Sequence, residues 1–489
     1  MVWRARPVRN VTRGGDMRRT TLVDRRLAFT AVPVLFAFVC AGSMRSATVS
    51  AQLLPPLGAH DPGVRGGAAG AGAPLAGLTA GQQKFFDAGK ADFEEEEAVP
   101  DGLGPRFNLD SCGGCHSQPA IGGTSPAINP EVAMATEAGA RNQVPFFVTP
   151  NGPAREARFT FQADGVTRDG GVHNLYVITG RSDAPVYCQI TQEDFDAQAA
   201  RNNLIFRIPT PTFGAGLIEA IPDNTIAGGL GLNIPIKQSL GIYGRVSRVP
   251  IGNNTTVNRN GNDGTIARFG WKAQNKSLLI FSGEAYNVEM GISNELFQSE
   301  REENAACQAA PVANDVADLD APDPVDATNA IEKFSDFMRF LAPPTPSSYE
   351  PGGSVSITSG RALFGTVGCT HCHTPTMMTG NSPIAALRYK NANLFSDIAL
   401  HKMGPGLADE IIQGQAEPDE FRTAPLWGLG KRIFFLHDGR TTDLLQAIHE
   451  HRSAGNSKFG PSEANQVINL FDALAGSQQQ DILNFLRSL

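Results

Sequence analysis

Long hydrophobic runs are almost absent from this 489-residue chain. The main apolar stretch, Leu27 to Gly42, spans 16 residues, whereas a helix needs about 20 to cross a bilayer. It follows Arg18, Arg19, Arg25 and Arg26 and precedes the small residues Val49-Ser50-Ala51, the layout of a cleaved secretory signal. Export to the periplasm with cleavage near Ala51 is expected, and no stable membrane span. Positive charge is also in short supply. Of 41 Lys+Arg and 49 Asp+Glu, nine and two fall in residues 1–51, leaving 32 against 47 and a formal charge of about −15. So acidic a surface argues against nucleic acid or an anionic membrane as partner. Cysteine is scarce too, with seven in all and six beyond residue 51. An even number suits an oxidising compartment.

Four of those six stand in two matching pentads, Cys112-Gly-Gly-Cys115-His116 and Cys369-Thr-His-Cys372-His373. This spacing is the attachment signature of c-type haem. Each cysteine adds to one vinyl group, and the adjacent histidine falls under the iron as its proximal ligand. Zinc also takes Cys and His, but it would need a fourth ligand at each site and gives no reason for two matching pentads. His371 reads as a bystander. Cys188 and Cys307 remain; a disulfide between them is expected, with two buried thiols as the alternative.

The group opposite each proximal histidine decides the function, because a soft permanent ligand makes a carrier and an open iron admits peroxide or oxygen. For the second haem the candidate is Met403, thirty residues beyond His373, with His401 as its rival. Met377 and Met378 follow His373 too closely to pass the ring edge at about 3.5 Å per residue. His437 reads as a polar or propionate contact near the haem, and His449 and His451 as surface or propionate contacts. For the first haem the candidates are His173 and Met290, with an open iron as the third alternative. An open iron needs an acid/base group above it, for which Glu289 is the candidate.

Residues 52–78, rich in Gly, Ala and Pro, read as a flexible leader, and the acidic 311–330 stretch as an exposed linker. The expected fold is mainly α, with two cytochrome c-like haem domains. The N-terminal one spans 79–330 with a β-rich insertion at about 140–282, and the C-terminal one spans 331–489. Helices are expected at Thr79–Phe93 and Ala330–Leu341, and another behind a capping box at Ser477–Gln480. Strands are expected around Arg158–Phe161, Val172–Ile178, Leu204–Ile208, Ile242–Ile251 and Ser277–Phe281. One echo links the halves: Gly81 and Phe85 precede the first pentad as Gly360 and Phe364 precede the second.

Beyond the pentads, six segments stand out: 102–108 (GLGPRFN), 269–275 (FGWKAQN), 287–291 (NVEMG), 400–409 (LHKMGPGLAD), 421–428 (FRTAPLWG) and 435–440 (FLHDGR). With these the chain resembles the di-haem oxidoreductases, relatives of the bacterial di-haem cytochrome c peroxidases and of the di-haem enzyme that matures methylamine dehydrogenase. The resemblance covers nearly the whole chain beyond residue 51. It implies that Trp271 lies between the haems and that Glu289 is the distal acid/base. It implies an enzyme, a peroxidase that takes electrons from a small redox protein such as a c-type cytochrome and delivers them to hydrogen peroxide. It also raises a structural calcium, held through carbonyls near Thr423 and Pro425. The sequence departs from the peroxidases in lacking a proline before Val288 and in having Gly-Trp-Lys where they have Phe-Trp-Asp-Gly-Arg. Two other readings remain: oxidation of a protein or organic substrate from a high-valent di-haem state, and a non-enzymatic electron carrier with both irons six-coordinate.

Overall fold

Thr79 caps the first helix as the sequence predicts. Its hydroxyl accepts from Gln82 N while Gln82 Oε1 accepts from Thr79 N, at 3.2 and 2.9 Å, so two end donors are satisfied reciprocally. The helix runs Ala80–Glu94 in the computed structural model, which describes residues 58–248, 250–251, 256–257, 266–301, 304, 306–307 and 313–489. The expected signal segment 1–51 lies outside the described residues.

The Ala80–Glu94 helix buries Phe86 and Phe93 against helix Ala330–Phe340, with the Phe93 ring tilted against Phe337 at 5.1 Å. Gly89 lies at the crossing, where a Cβ would meet Lys333 O at 2.1 Å. The C-terminal half repeats the device. Helix Gly353–Thr366 crosses helix Gly476–Ser488 at Gly360, where a Cβ would meet Asp481 O at 1.8 Å, and Phe364 packs at 5.5 Å on Phe485. The echo between the halves is therefore Gly89/Phe93 with Gly360/Phe364. Gly81 has no neighbour within 4 Å and cannot serve as a crossing point, which corrects the register read from sequence.

The described residues contain fourteen α-helices and six small sheets of two or three strands. Among its described residues the region 140–282 is not β-rich. Its strands are two to four residues long and alternate with helices Phe195–Ala200, Ala215–Glu219, Asp223–Leu230 and Ile234–Ser239. Ser277–Phe281, expected as a strand, opens helix Leu278–Met290, with Ser277 Oγ accepting from Ile280 N at 3.3 Å. A short apolar run has no period that tells helix from strand, and the cap decides. The terminal helix begins at Gly476, its cap being Ala475, whose N–H donates to Gln478 Oε1 at 3.1 Å.

Of residues 52–78, read from composition as a flexible leader, 52–57 lie outside the described residues and 58–78 are tied down along the C-terminal half. Arg65 N donates to Gly430 O and Leu75 N to Phe340 O, both at 2.7 Å. Lys431 Nζ donates to three leader carbonyls, and Asp61 pairs with the buried Arg487. Glycine-rich composition frees a chain only where its backbone groups find no partner. No described helix is long and apolar enough to cross a membrane.

Candidate functional site

Each pentad lines its own cavity. In the first, Phe93 meets the His116 ring edge-on at 5.9 Å, and His116 Nδ1 donates to Gly123 O at 2.9 Å. In the second, Phe364 lies 6.2 Å from the His373 ring, and His373 Nδ1 donates to Phe395 O at 3.0 Å. Both rings thus have Nδ1 committed, which leaves Nε2 as the basic nitrogen. Burial lowers the pKa of both, that of His373 to about 4, so both are neutral. A cysteine pair and a neutral, pre-oriented imidazole on one wall is a donor set that fits haem.

The rest of the first cavity is charged. Helix Leu278–Met290 ends at Gly291, in left-handed backbone (φ 74°), where a Cβ would strike Arg106 O at 2.4 Å. This close approach lets Asn108 N donate to Glu289 O, while Asn108 Nδ2 donates to Glu289 Oε2, both at 2.6 Å. The landmarks 102–108 and 287–291 therefore meet at one carboxyl group. A three-stranded antiparallel sheet, Val172–His173, Glu156–Phe159 and Leu204–Arg207, forms the adjoining wall. Alternation along a strand puts Glu156 and Arg158 on one face, where Glu156 opposes Arg207. All three line the cavity.

Arg158 Nε donates to Glu156 at 2.6 Å, and Glu156 shares a hydrogen bond with Glu289. Burial raises the pKa of Glu289 well above the usual carboxyl range, and the neighbouring Glu156 adds to the rise. Burial acts the same way on Glu156, but Arg158 outweighs it and keeps Glu156 ionised. Glu289 is therefore the protonated member and donates to Glu156. Gln274 also lines this cavity, and its buried Oε1 has no partner among the described residues. Sequence reading missed Glu156, Arg158, Arg207 and Gln274. Charges at alternate positions of a strand, Arg-Glu-Ala-Arg-Phe from 155 to 159, were the available signal.

His173 belongs to that sheet but is not among the residues that line the cavity. It stacks on Phe159 at 3.5 Å, with Nε2 at 3.1 Å from Asp169 and Nδ1 at 3.5 Å from Glu193. Met290 lines the cavity, with Sδ at 3.8 Å from Cys112 Sγ, beside the attachment edge.

The second cavity is lined mainly by apolar side chains, with Met403 and His401 both on its wall. His401 has both nitrogens engaged, Nε2 by Asp397 at 3.0 Å and Nδ1 by Glu463 at 2.8 Å. No hydrogen bond ties the Met403 sulfur among the described residues. His437 stacks on Phe421 at 4.5 Å, and burial lowers its pKa to about 4. His451 lines the cavity and donates from Nδ1 to Ala447 O at 2.8 Å, whereas His449 lies half exposed beside Asp472.

Trp271 lines both cavities. Its Nε1 donates to Ile208 O at 2.9 Å, and its ring meets His437 edge-on at 6.5 Å. A third, small cavity shares the same indole. Of the two residues named for a calcium, Pro425 lines this cavity beside Arg268, Arg422 and Arg432, with no carboxylate among its lining residues, and Thr423 lines the second cavity. Cys188 and Cys307 form the one disulfide among the described residues, with an S–S distance of 2.10 Å.

No curated protein matches the sequence. Among solved structures the chain is similar to a Kuenenia stuttgartiensis hydrazine synthase (18% identity, 34% of this chain and 56% of that one, TM-score 0.22). It is also similar to a MauG-like protein associated with microbial copper homeostasis (16% identity, 45% and 68% of the two chains, TM-score 0.26). This chain thus spans just over half of the hydrazine synthase chain. The family model described as "Di-haem oxidoreductase, putative peroxidase" matches residues 165–489, which include Trp271, Glu289 and the second pentad. The chain belongs to the di-haem oxidoreductase family, whose cofactor is haem.

Proposed function

We propose that the chain is an exported peroxidase that reduces hydrogen peroxide to water in the first cavity (H2O2 + 2H+ + 2e− → 2H2O). Haem bound through Cys112, Cys115 and His116 would supply the reducing centre there, and haem bound through Cys369, Cys372 and His373 the electron store. The observation that carries this reading is the buried pair Glu289–Glu156, set on the same cavity as the first pentad. Glu289, the protonated member, delivers its proton to the departing oxygen of the peroxide, and Glu156 steadies its position from the other side. Asn108 fixes the rotation of the Glu289 carboxyl, since its own oxygen accepts from Leu175 N at 2.8 Å. Arg158 keeps Glu156 ionised, so the pair holds one proton, ready to give and to regain. The unsatisfied Gln274 oxygen is a hydrogen-bond acceptor for a peroxide O–H.

In the second cavity Met403 would be the soft ligand of a bound haem, because His401 is held between two carboxylates and has no nitrogen to spare. Trp271, common to both walls, is the relay. A small redox protein such as a c-type cytochrome, with a basic patch to meet the acidic surface, is the proposed donor in the periplasm. For the electron-carrier alternative, His173 lies off the first cavity with both nitrogens engaged, which leaves Met290 as the group that would have to cap the first haem. Steady-state peroxide turnover of E289Q tests the proposal, and wild-type activity in that variant would sink it.

A further inference from the structure

Two arginines beside Trp271 are buried without counter-charge. Arg422 and Arg432 both line the second cavity and the small cavity that shares Trp271. Arg422 donates only to carbonyls, Nε to Gly270 O at 2.8 Å and Nη1 to Thr423 O at 3.5 Å. The Arg432 guanidinium has no hydrogen-bond partner among the described residues, and no described carboxylate pairs with either arginine. Three other buried arginines are each answered by a carboxylate: Arg207 by Asp409, Arg268 by Asp223 and Arg487 by Asp61. Burial lowers both pKa values only to about 10, so both remain charged at neutral pH. Two adjacent buried cations with no anion are costly, and the cost is removed when a ligand brings the missing negative charge.

We propose that Arg422 and Arg432 would be the counter-ions of the two propionate carboxylates of a haem bound in the second cavity. This rests on the proposed haem occupancy of that cavity. A guanidinium presents a fork of donors that matches a carboxylate, and the two propionates leave the ring on the edge away from the vinyl groups that take Cys369 and Cys372. The propionates stay ionised beside the two arginines, so the second haem's potential does not change across neutral pH.

Spectroelectrochemistry of the holoprotein tests this, once the haem count per chain is known. In R432Q, two haems per chain are expected, with the second haem's potential lowered and falling further as pH rises. A buried propionate without its cation takes up a proton more readily, so reduction becomes coupled to protonation. R432K keeps the charge and should retain a potential close to wild type and flat in pH. Two haems in R432Q with an unchanged, flat potential would overturn the counter-ion role and leave the two-haem reading standing. A wild-type protein with no haem on the second pentad would overturn that reading instead. If R432Q does not fold, R422Q and the wild type carry the test. A wild-type potential that moves when chloride is exchanged for a bulky anion would assign the site to a free anion, against the proposal.

Discussion

Around Cys112–His116 the cavity wall carries Glu156, Arg158, Arg207 and Glu289, whereas around Cys369–His373 it is mainly apolar and offers the Met403 sulfur. Both pentads are nonetheless mounted alike. A glycine lets two helices cross at backbone distance, and a phenylalanine four residues on packs against the histidine of the pentad. On the proposed function the shared part would hold a cofactor, and the unshared part would decide what it does. In the first half a segment unlike anything in the second brings a sheet with one charged face over the pentad. In the second half the chain returns through 400–403 and 421–422 and closes the cavity with packed side chains and a sulfur.

The largest expected effect comes from erasing one side of the comparison. C112A/C115A should lose one covalent haem by intact mass and nearly all peroxide turnover, while C369A/C372A should also lose one haem but keep a peroxide-reactive spectrum. Next is the acid pair. E289Q should lower turnover by about 10²–10⁴-fold while leaving both haems bound. Because the Glu289 pKa is raised and its acid form is the active one, wild-type activity is present at low pH and lost as pH rises through that pKa. The variant should lack this limb in a pH–rate profile. M403A should then lower the potential of the second haem and change its low-spin resonance signal, with the first haem's signal unmoved. The smallest effect tests the shared mount: G89A and G360A each place a methyl against a backbone carbonyl and should cost about 1–3 kcal/mol in chemical denaturation. Equal costs would confirm that the two mounts are equivalent. A neutral G89A would restrict the likeness to the second half.

Much of the site could be read locally. The pentads, Trp271 and Glu289 stand in recognisable segments, and the expected pairing of Cys188 with Cys307 is present in the structure. The charged sheet face could not be read this way, because Glu156 and Arg207 meet only across a strand pair 51 residues apart in sequence. The register of the glycine mount was missed for a similar reason: Gly81 and Gly89 both precede a phenylalanine at the right spacing, and only the crossing with helix Ala330–Phe340 separates them. Composition misled on 58–78, where the partners of the backbone groups lie more than 250 residues away, at Phe340 and Gly430.

By itself the sequence determined the two Cys-x-x-Cys-His pentads, the helices that carry their own caps, and the acidic, cysteine-poor character of the chain, because each depends on neighbours within a few residues. The tertiary structure alone decided that Glu289 is protonated and Glu156 is not, that His401 is locked and Met403 free, and that Arg422 and Arg432 are left without an anion. Charge state and hydrogen-bond partner are set by burial and by what folds alongside, and those are properties of the assembled walls.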